Sequence, residues 1–207
     1  GAGSSESVRL ALLRIIFKSV DLPEQYPVAR FVMWLKNEEI YETVRGYVGQ
    51  NGYDWDEELD NLYVAEGLHA ALIQAKSNLF ASTETCAEIL KNLFPYVKDI
   101  SSDDMIKAIR QALTNEGKFP LTLIVLDEVQ QYIGESSQRS MDVQEAVEAC
   151  CKNIGGKLLF IGTGQTAVTG TSNLKKLEGR FTVRVELSDS DVDAVIRKVI
   201  LAKKPQA

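Results

Sequence analysis

Residues 121–128 read LTLIVLDE: six residues, mostly apolar and three of them β-branched, lead straight into two adjacent carboxylates, Asp127 and Glu128. A strand that is apolar at successive positions rather than alternate ones is expected inside a parallel sheet covered on both faces. Sheets of that kind bind ligands at the carboxyl ends of their strands. The two acids therefore stand where Mg²⁺ and a nucleotide would be held, and the chain is expected to be α/β.

Downstream come a loop, GESSQRS (134–140), a helix from about Ser140 to Asn153, and a second apolar strand, KLLFIG, from Lys157 to Gly162. A connection rich in Gly, Thr, Ser and Asn then runs from Thr163 to Asn173, followed by a strand FTVRVEL from Phe181 to Leu187 and a final helix that Ser188 caps. Upstream, the composition changes at Lys118-Phe119-Pro120, and residues 1–117 read as helical almost throughout. Apolar residues recur at helical spacing from Glu6 to Val20, where Asp21-Leu22-Pro23 closes the first helix. Pro27 opens one bent helix or two consecutive ones ending near Gly49–Gly52; residues 55–77 form the next, Thr85–Leu93 another, and Ser102-Asp103-Asp104 caps the last, which Gly117 stops. The expected division is a helical region over 1–117, a sheet region over 118–187, and the start of a further helix over 188–207.

Composition narrows the classes of function. With 207 residues, 45% of them hydrophobic, the chain can bury a sizeable core. No apolar run approaches the ~20 residues of a membrane span, and the opening GAGSSES lacks the regions of a signal peptide and reads as an expression scar. Cys86, Cys150 and Cys151 are odd in number and without CxxC spacing, which speaks against a disulfide framework or zinc site and for a reduced, cytoplasmic setting. The single histidine, His69, lies in an apolar helical pattern and is assigned a structural or surface role. Trp34, Tyr41 and Tyr47, at helical spacing, are assigned to packing. The net charge of −6 hides an asymmetry, since residues 1–150 carry 13 basic and 24 acidic groups and residues 151–207 carry 10 and 5.

Two sequence patterns resemble ligand sites without meeting their requirements. Asp189-x-Asp191-x-Asp193 begins like a calcium loop, but Ala194 and Ile200 stand where that loop needs Gly and Glu. Gly155-Gly156-Lys157 ends like a phosphate loop, yet Leu158 follows and a strand, not a helix, comes next.

Chemistry concentrates at the strand ends. Adjacent acids after an apolar strand can divide two tasks, Asp127 holding a metal and Glu128 polarising a water for attack on a γ-phosphate. The second strand ends in Thr163-Gly164-Gln165-Thr166, which would offer hydroxyl or amide groups to the same crevice. Arg180, just before the third strand, can reach a neighbouring subunit's phosphate or form a surface salt bridge.

In the order LIVLDE, LLFIGTGQ, GRF and a capped helix, the chain resembles the second half of an AAA+ ATPase core. DEVQQYIG and RFTVRVELSDSDVDAVIRKVILAKKP resemble, more narrowly, the large P-loop ATPase of BREX-type bacteriophage exclusion systems (the BrxC/PglY type). The resemblance is strongest over residues 118–205. It implies ATP and Mg²⁺ as cofactors, Asp127 as the Walker B metal-associated acid and Glu128 as the catalytic glutamate. Thr163 or Gln165 would be the sensor and Arg180 the arginine finger. It also implies a homo-oligomeric parent working with other defence-system proteins.

One departure from the family pattern stands out: no G-x-x-x-x-G-K-[ST] occurs in the 207 residues. Without that loop the phosphates lose their backbone cradle and lysine, so this chain by itself is expected to be inactive. The expectation is a piece of a larger ATPase whose phosphate loop and its strand precede Gly1; a degenerate, non-hydrolysing relative is the other option. The alternative from another class is a non-enzymatic protein-interaction module of a larger protein, with Asp127 and Glu128 as solvated strand-end acids. Lys175, Lys176, Arg184, Arg197, Lys198, Lys203 and Lys204 are the candidates for a DNA contact, with no recognition motif beside them.

Overall fold

A computed structural model describes residues 6–164 and the single positions 179, 181, 183, 196 and 198. Seven helices come first: α1 (Val8–Lys18), α2 (Tyr26–Asn37), α3 (Tyr41–Gln50), α4 (Trp55–Asp60), α5 (Glu66–Ala75), α6 (Thr83–Leu93) and α7 (Ser102–Leu113). Then follow strand β1 (Thr122–Leu126), the short helix α8 (Val129–Ile133), the long helix α9 (Ser137–Ile154), a 3₁₀ turn at Gly155–Lys157 and strand β2 (Leu158–Gly162). The described part is thus α/β, with helices joined to a small parallel sheet. Among the described residues no helix is long and apolar enough to cross a membrane.

Local chemistry explains most helix boundaries. Ser7, Ser82, Ser101 and Ser136 each accept a bond from a backbone N–H in the first turn that follows, and the Asp54 carboxylate accepts two. Each cap satisfies a donor that the helix itself leaves without a partner. Pro27 stands in the first turn of α2, where its fixed φ suits the helix and its missing N–H costs nothing. The pattern that allowed one bent helix or two resolves into two: α2 and α3 are separated at Glu39, which turns into the left-handed region at φ 58°.

The continuous helix expected over residues 55–77 is broken between Asp60 and Glu66. The turn sends Leu62 into the core and brings the Tyr63 hydroxyl to the carbonyl of Phe94, to which it donates at 2.5 Å. Glu58 then accepts the Leu68 N–H at 2.7 Å, satisfying a donor at the start of α5. At Gly67 the Tyr53 ring lies where a side chain would begin, so a Cβ would come within 2.5 Å of it. His69 is buried in α5 with Nε2 3.0 Å from the Leu62 carbonyl, a core position within the structural role assigned to it.

Buried residues of the helices and of the strands belong to one hydrophobic core. Trp34 of α2 lies among Phe31, Phe80 and Phe94 at centroid distances of 6.0–6.1 Å, and aromatic pairs at such spacing add to the area they bury. Helix α9 links the two regions, packing against α1 and α7 on one side and β2 on the other. Arg110 of α7 donates to the Asn153 carbonyl at the end of α9, and Arg9 of α1 lies 3.8 Å from Glu145. The core therefore crosses the composition change at residues 118–120 without interruption.

Strands β1 and β2 are neighbours and parallel, paired from Thr122 opposite Leu158 to Leu126 opposite Gly162. Among the described residues one face of this sheet is covered and the other is exposed. Ile124, Leu158 and Phe160 turn inward, whereas Leu123, Val125 and Leu159 are 56%, 54% and 58% exposed. The expectation of cover on both faces is corrected here: successive apolar residues in β1 do not have successive partners. Helix α9 begins at Ser137, three residues earlier than expected, because Ser136 caps it, and α8 is an element that periodicity did not indicate. The strand expected over 181–187 and the final helix fall outside the contiguous described residues.

Candidate functional site at the strand ends

The polar ends of β1 and β2 meet because the strands are parallel and in register. Beyond Gly162 two further backbone bonds, both at Thr163, tie the strand ends together. Thr163 N–H donates to the Leu126 carbonyl at 3.0 Å, and Val129 N–H donates to the Thr163 carbonyl at 3.2 Å. Thr163 is thereby held level with Asp127 and Glu128. Its hydroxyl donates to Asp127 Oδ1 and accepts the Glu128 N–H at 2.9 Å. One side chain from β2 thus fixes both a carboxylate and a backbone donor at the end of β1, and a bond to an ionised acceptor is the stronger kind.

Glu128 departs from ordinary backbone geometry. It caps α8 at φ 48°, ψ 43°, the left-handed region, which costs a residue with a side chain on the order of 1 kcal/mol. Two contacts hold the turn: Gln131 N–H donates to the Glu128 carbonyl at 2.8 Å, and Gln131 Nε2 donates to Glu128 Oε2 at 2.5 Å. A strained turn directly after a strand lets two adjacent acids present different groups to the same space. Asp127 and Thr163 are exposed and Glu128 is half-buried, so all three can be reached from solvent.

Two glutamines were missed by sequence reasoning. Gln131 is the partner of Glu128 just described. Gln130 is 5% exposed, and its Oε1 has no hydrogen-bond partner among the described residues. It lies against the turn after β2, where a Cβ at Gly164 would come 3.0 Å from Gln130 Oε1. The only available signal was the pair of amides directly after Asp-Glu, in a segment too short for periodicity.

The oxygen donors fit part of a Mg²⁺ site. Mg²⁺ takes one or two carboxylates and completes its shell with water and phosphate oxygens, and Asp127 supplies a carboxylate already anchored through one oxygen. Among the described residues no group of three or more His, Cys, Asp or Glu is placed to hold a metal ion. Gly155-Gly156-Lys157 forms the 3₁₀ turn leading into β2, with Gly155 at φ 68° closing α9. Gln165 and Arg180 lie outside the described residues, as do all the candidate DNA-contacting residues except Lys198, which is exposed.

No protein-family model and no solved structure matches the chain.

Proposed function

We propose that the ends of β1 and β2 are the hydrolytic half of an ATP site of the AAA+ type, within a larger oligomeric ATPase of BREX-type bacterial defence. Asp127 would associate with Mg²⁺, Glu128 would orient and deprotonate the attacking water, and Thr163 would act as sensor. Gln165 and Arg180 keep the sensor and arginine-finger roles that the sequence resemblance implies. Bound Mg²⁺ and ATP would supply the electrophilic phosphorus and neutralise its charge. The residues of this chain hold the acids apart and in order: Thr163 keeps Asp127 turned toward β2, and the left-handed turn separates Glu128 from it.

The observation that carries the reading is the Thr163 hydroxyl, bonded to both the Asp127 carboxylate and the Glu128 N–H. It joins the two strand ends into one polar site.

By this reading the chain alone hydrolyses no ATP, and catalysis needs a phosphate-binding loop from the rest of the protein. Calorimetry of Mg²⁺-ATP on the chain extended upstream to include such a loop tests it: binding is expected, with Mg²⁺ dependence reduced by Asp127→Asn. If an extended chain containing a Gly-Lys-Ser/Thr loop ignored ATP and Mg²⁺, a non-enzymatic interaction module would be the better description.

A further inference from the structure

Away from the strand ends, the helical region encloses a cleft of about 570 Å³ between the start of α2, the connection before α7 and one face of α7. That volume lies in the range of small-molecule sites. Two cations line it, Arg30 and Lys107. The Arg30 guanidinium lies 5.6 Å from the centre of the Tyr26 ring and 5.7 Å from that of Phe94, so aromatic faces position it. Among the described residues neither Arg30 nor Lys107 has a carboxylate within ion-pair distance.

Of the two acids beside them, Asp99 has a cationic partner among the described residues and Asp104 a neutral one. Asp99 pairs with Arg9 at 3.4 Å and accepts the Ile100 N–H at 2.8 Å, while Asp104 accepts the Ser101 hydroxyl at 2.7 Å. Burial is the main cause raising the Tyr26 pKa above its ordinary value, partly opposed by Arg30. The phenol therefore stays protonated at neutral pH and remains a neutral hydrogen-bonding group in the wall. Pro95, Val97, Ile100 and Ala108 form the apolar part of that wall, with Ser101 and Gln111 as polar neighbours.

We propose that this cleft binds a small amphiphilic anion, its carboxylate or phosphate held by Arg30 and Lys107 and its apolar body laid against Pro95, Val97 and Ile100. Arginine held between aromatic rings suits a planar or tetrahedral oxyanion, which it can meet with two parallel N–H donors. The site is independent of the proposed ATP site.

Calorimetric titration of the whole chain with phenyl phosphate and with benzoate, at low salt, tests the proposal and distinguishes the two head groups. At least one is expected to bind saturably, more tightly than inorganic phosphate or phenol. Arg30→Met and Lys107→Met, each keeping an apolar stem, are expected to weaken it roughly tenfold. Lys152→Met, on α9, is expected to leave it unchanged, and circular dichroism checks that each variant folds. Absence of saturable binding up to about 10 mM would overturn the proposal. So would inorganic phosphate binding as well as the amphiphiles, or folded Arg30→Met and Lys107→Met proteins that bind like the parent.

Discussion

Leu35 of α2 and Leu123 of β1 are the same residue type placed in opposite circumstances. Leu35 has no exposed surface, whereas Leu123 is more than half exposed. The contrast extends to the regions around them. In the helical region, side chains close the first turns of α1, α4, α6 and α7, and Phe17, Phe31 and Phe80 are fully buried. At the strand ends Glu128 occupies left-handed space, as Asp21, Glu39 and Glu116 do in the helical region, and the Gln130 amide oxygen, like His69 Nδ1 in α5, is buried without a partner among the described residues; the difference is that one apolar sheet face is exposed among the described residues. Stability and chemistry thus occupy different parts of one core. The helices bury most of their large apolar side chains against one another, while the strand ends bring exposed polar groups together through the register of two parallel strands.

The largest effect should separate the two leucines. Leu35→Ala is expected to lower stability by about 2–5 kcal/mol, because it removes buried methylenes and leaves a cavity. Leu123→Ala should cost less than about 1 kcal/mol, since most of that side chain is already in water. Urea unfolding of both variants measures the difference, and equal losses would show that the outer sheet face is covered in solution.

A smaller effect is expected at the bridge between the strands. Thr163→Val keeps the side chain's shape but removes the hydroxyl that Asp127 and the Glu128 N–H share. Since water can reach both groups, the expected loss is about 1 kcal/mol, with Thr163→Ser nearer the parent. A Thr163→Val protein as stable as the parent would mean that this bond does not hold the strand ends together.

The cysteines extend the comparison with little change in stability at neutral pH. Burial pushes the Cys86 thiol up to about 11 and the Cys150 thiol up to about 12, while Cys151 is exposed. At pH 8 a thiol reagent should modify Cys151 quickly and the other two only on unfolding, because the thiolate is the reactive form. The unfolded thiols, with pKa values nearer 8.5, release protons more readily than the folded ones. Their contribution to stability is therefore complete below the unfolded pKa and is lost as the pH rises through the folded values. Rapid modification of all three at pH 8 would mean that the helical core opens far more readily than its packing implies.

Much of this was legible in the sequence, for identifiable reasons. Both described strands were marked by apolar runs ending in polar turns and most helices by spacing, whereas the caps were less legible: α7 is capped by Ser101 rather than Ser102 and ends at Leu113, ahead of the expected stop at Gly117. The break between α4 and α5 was hidden because AEGLHAALIQA continues the apolar rhythm, and the need to bury Leu62 and bring Tyr63 to Phe94 lies far along the chain. The exposure of the outer sheet face among the described residues was also hidden, since an apolar run does not record which of its side chains find partners. At the candidate site, Asp127, Glu128 and Thr163 could be selected from strand ends. Their shared hydroxyl depends on the register of residues 36 apart in sequence, and Gln130 became noticeable only through its burial.

The proposed function rests most on Glu128 acting in hydrolysis. Its most direct test is single-turnover ATP hydrolysis by the full-length protein carrying Glu128→Gln, with nucleotide binding followed in parallel. The account predicts that ATP still binds in the presence of Mg²⁺ while hydrolysis falls by a factor of about 100 or more, the scale of a lost general base. Hydrolysis at the parent's rate would contradict it.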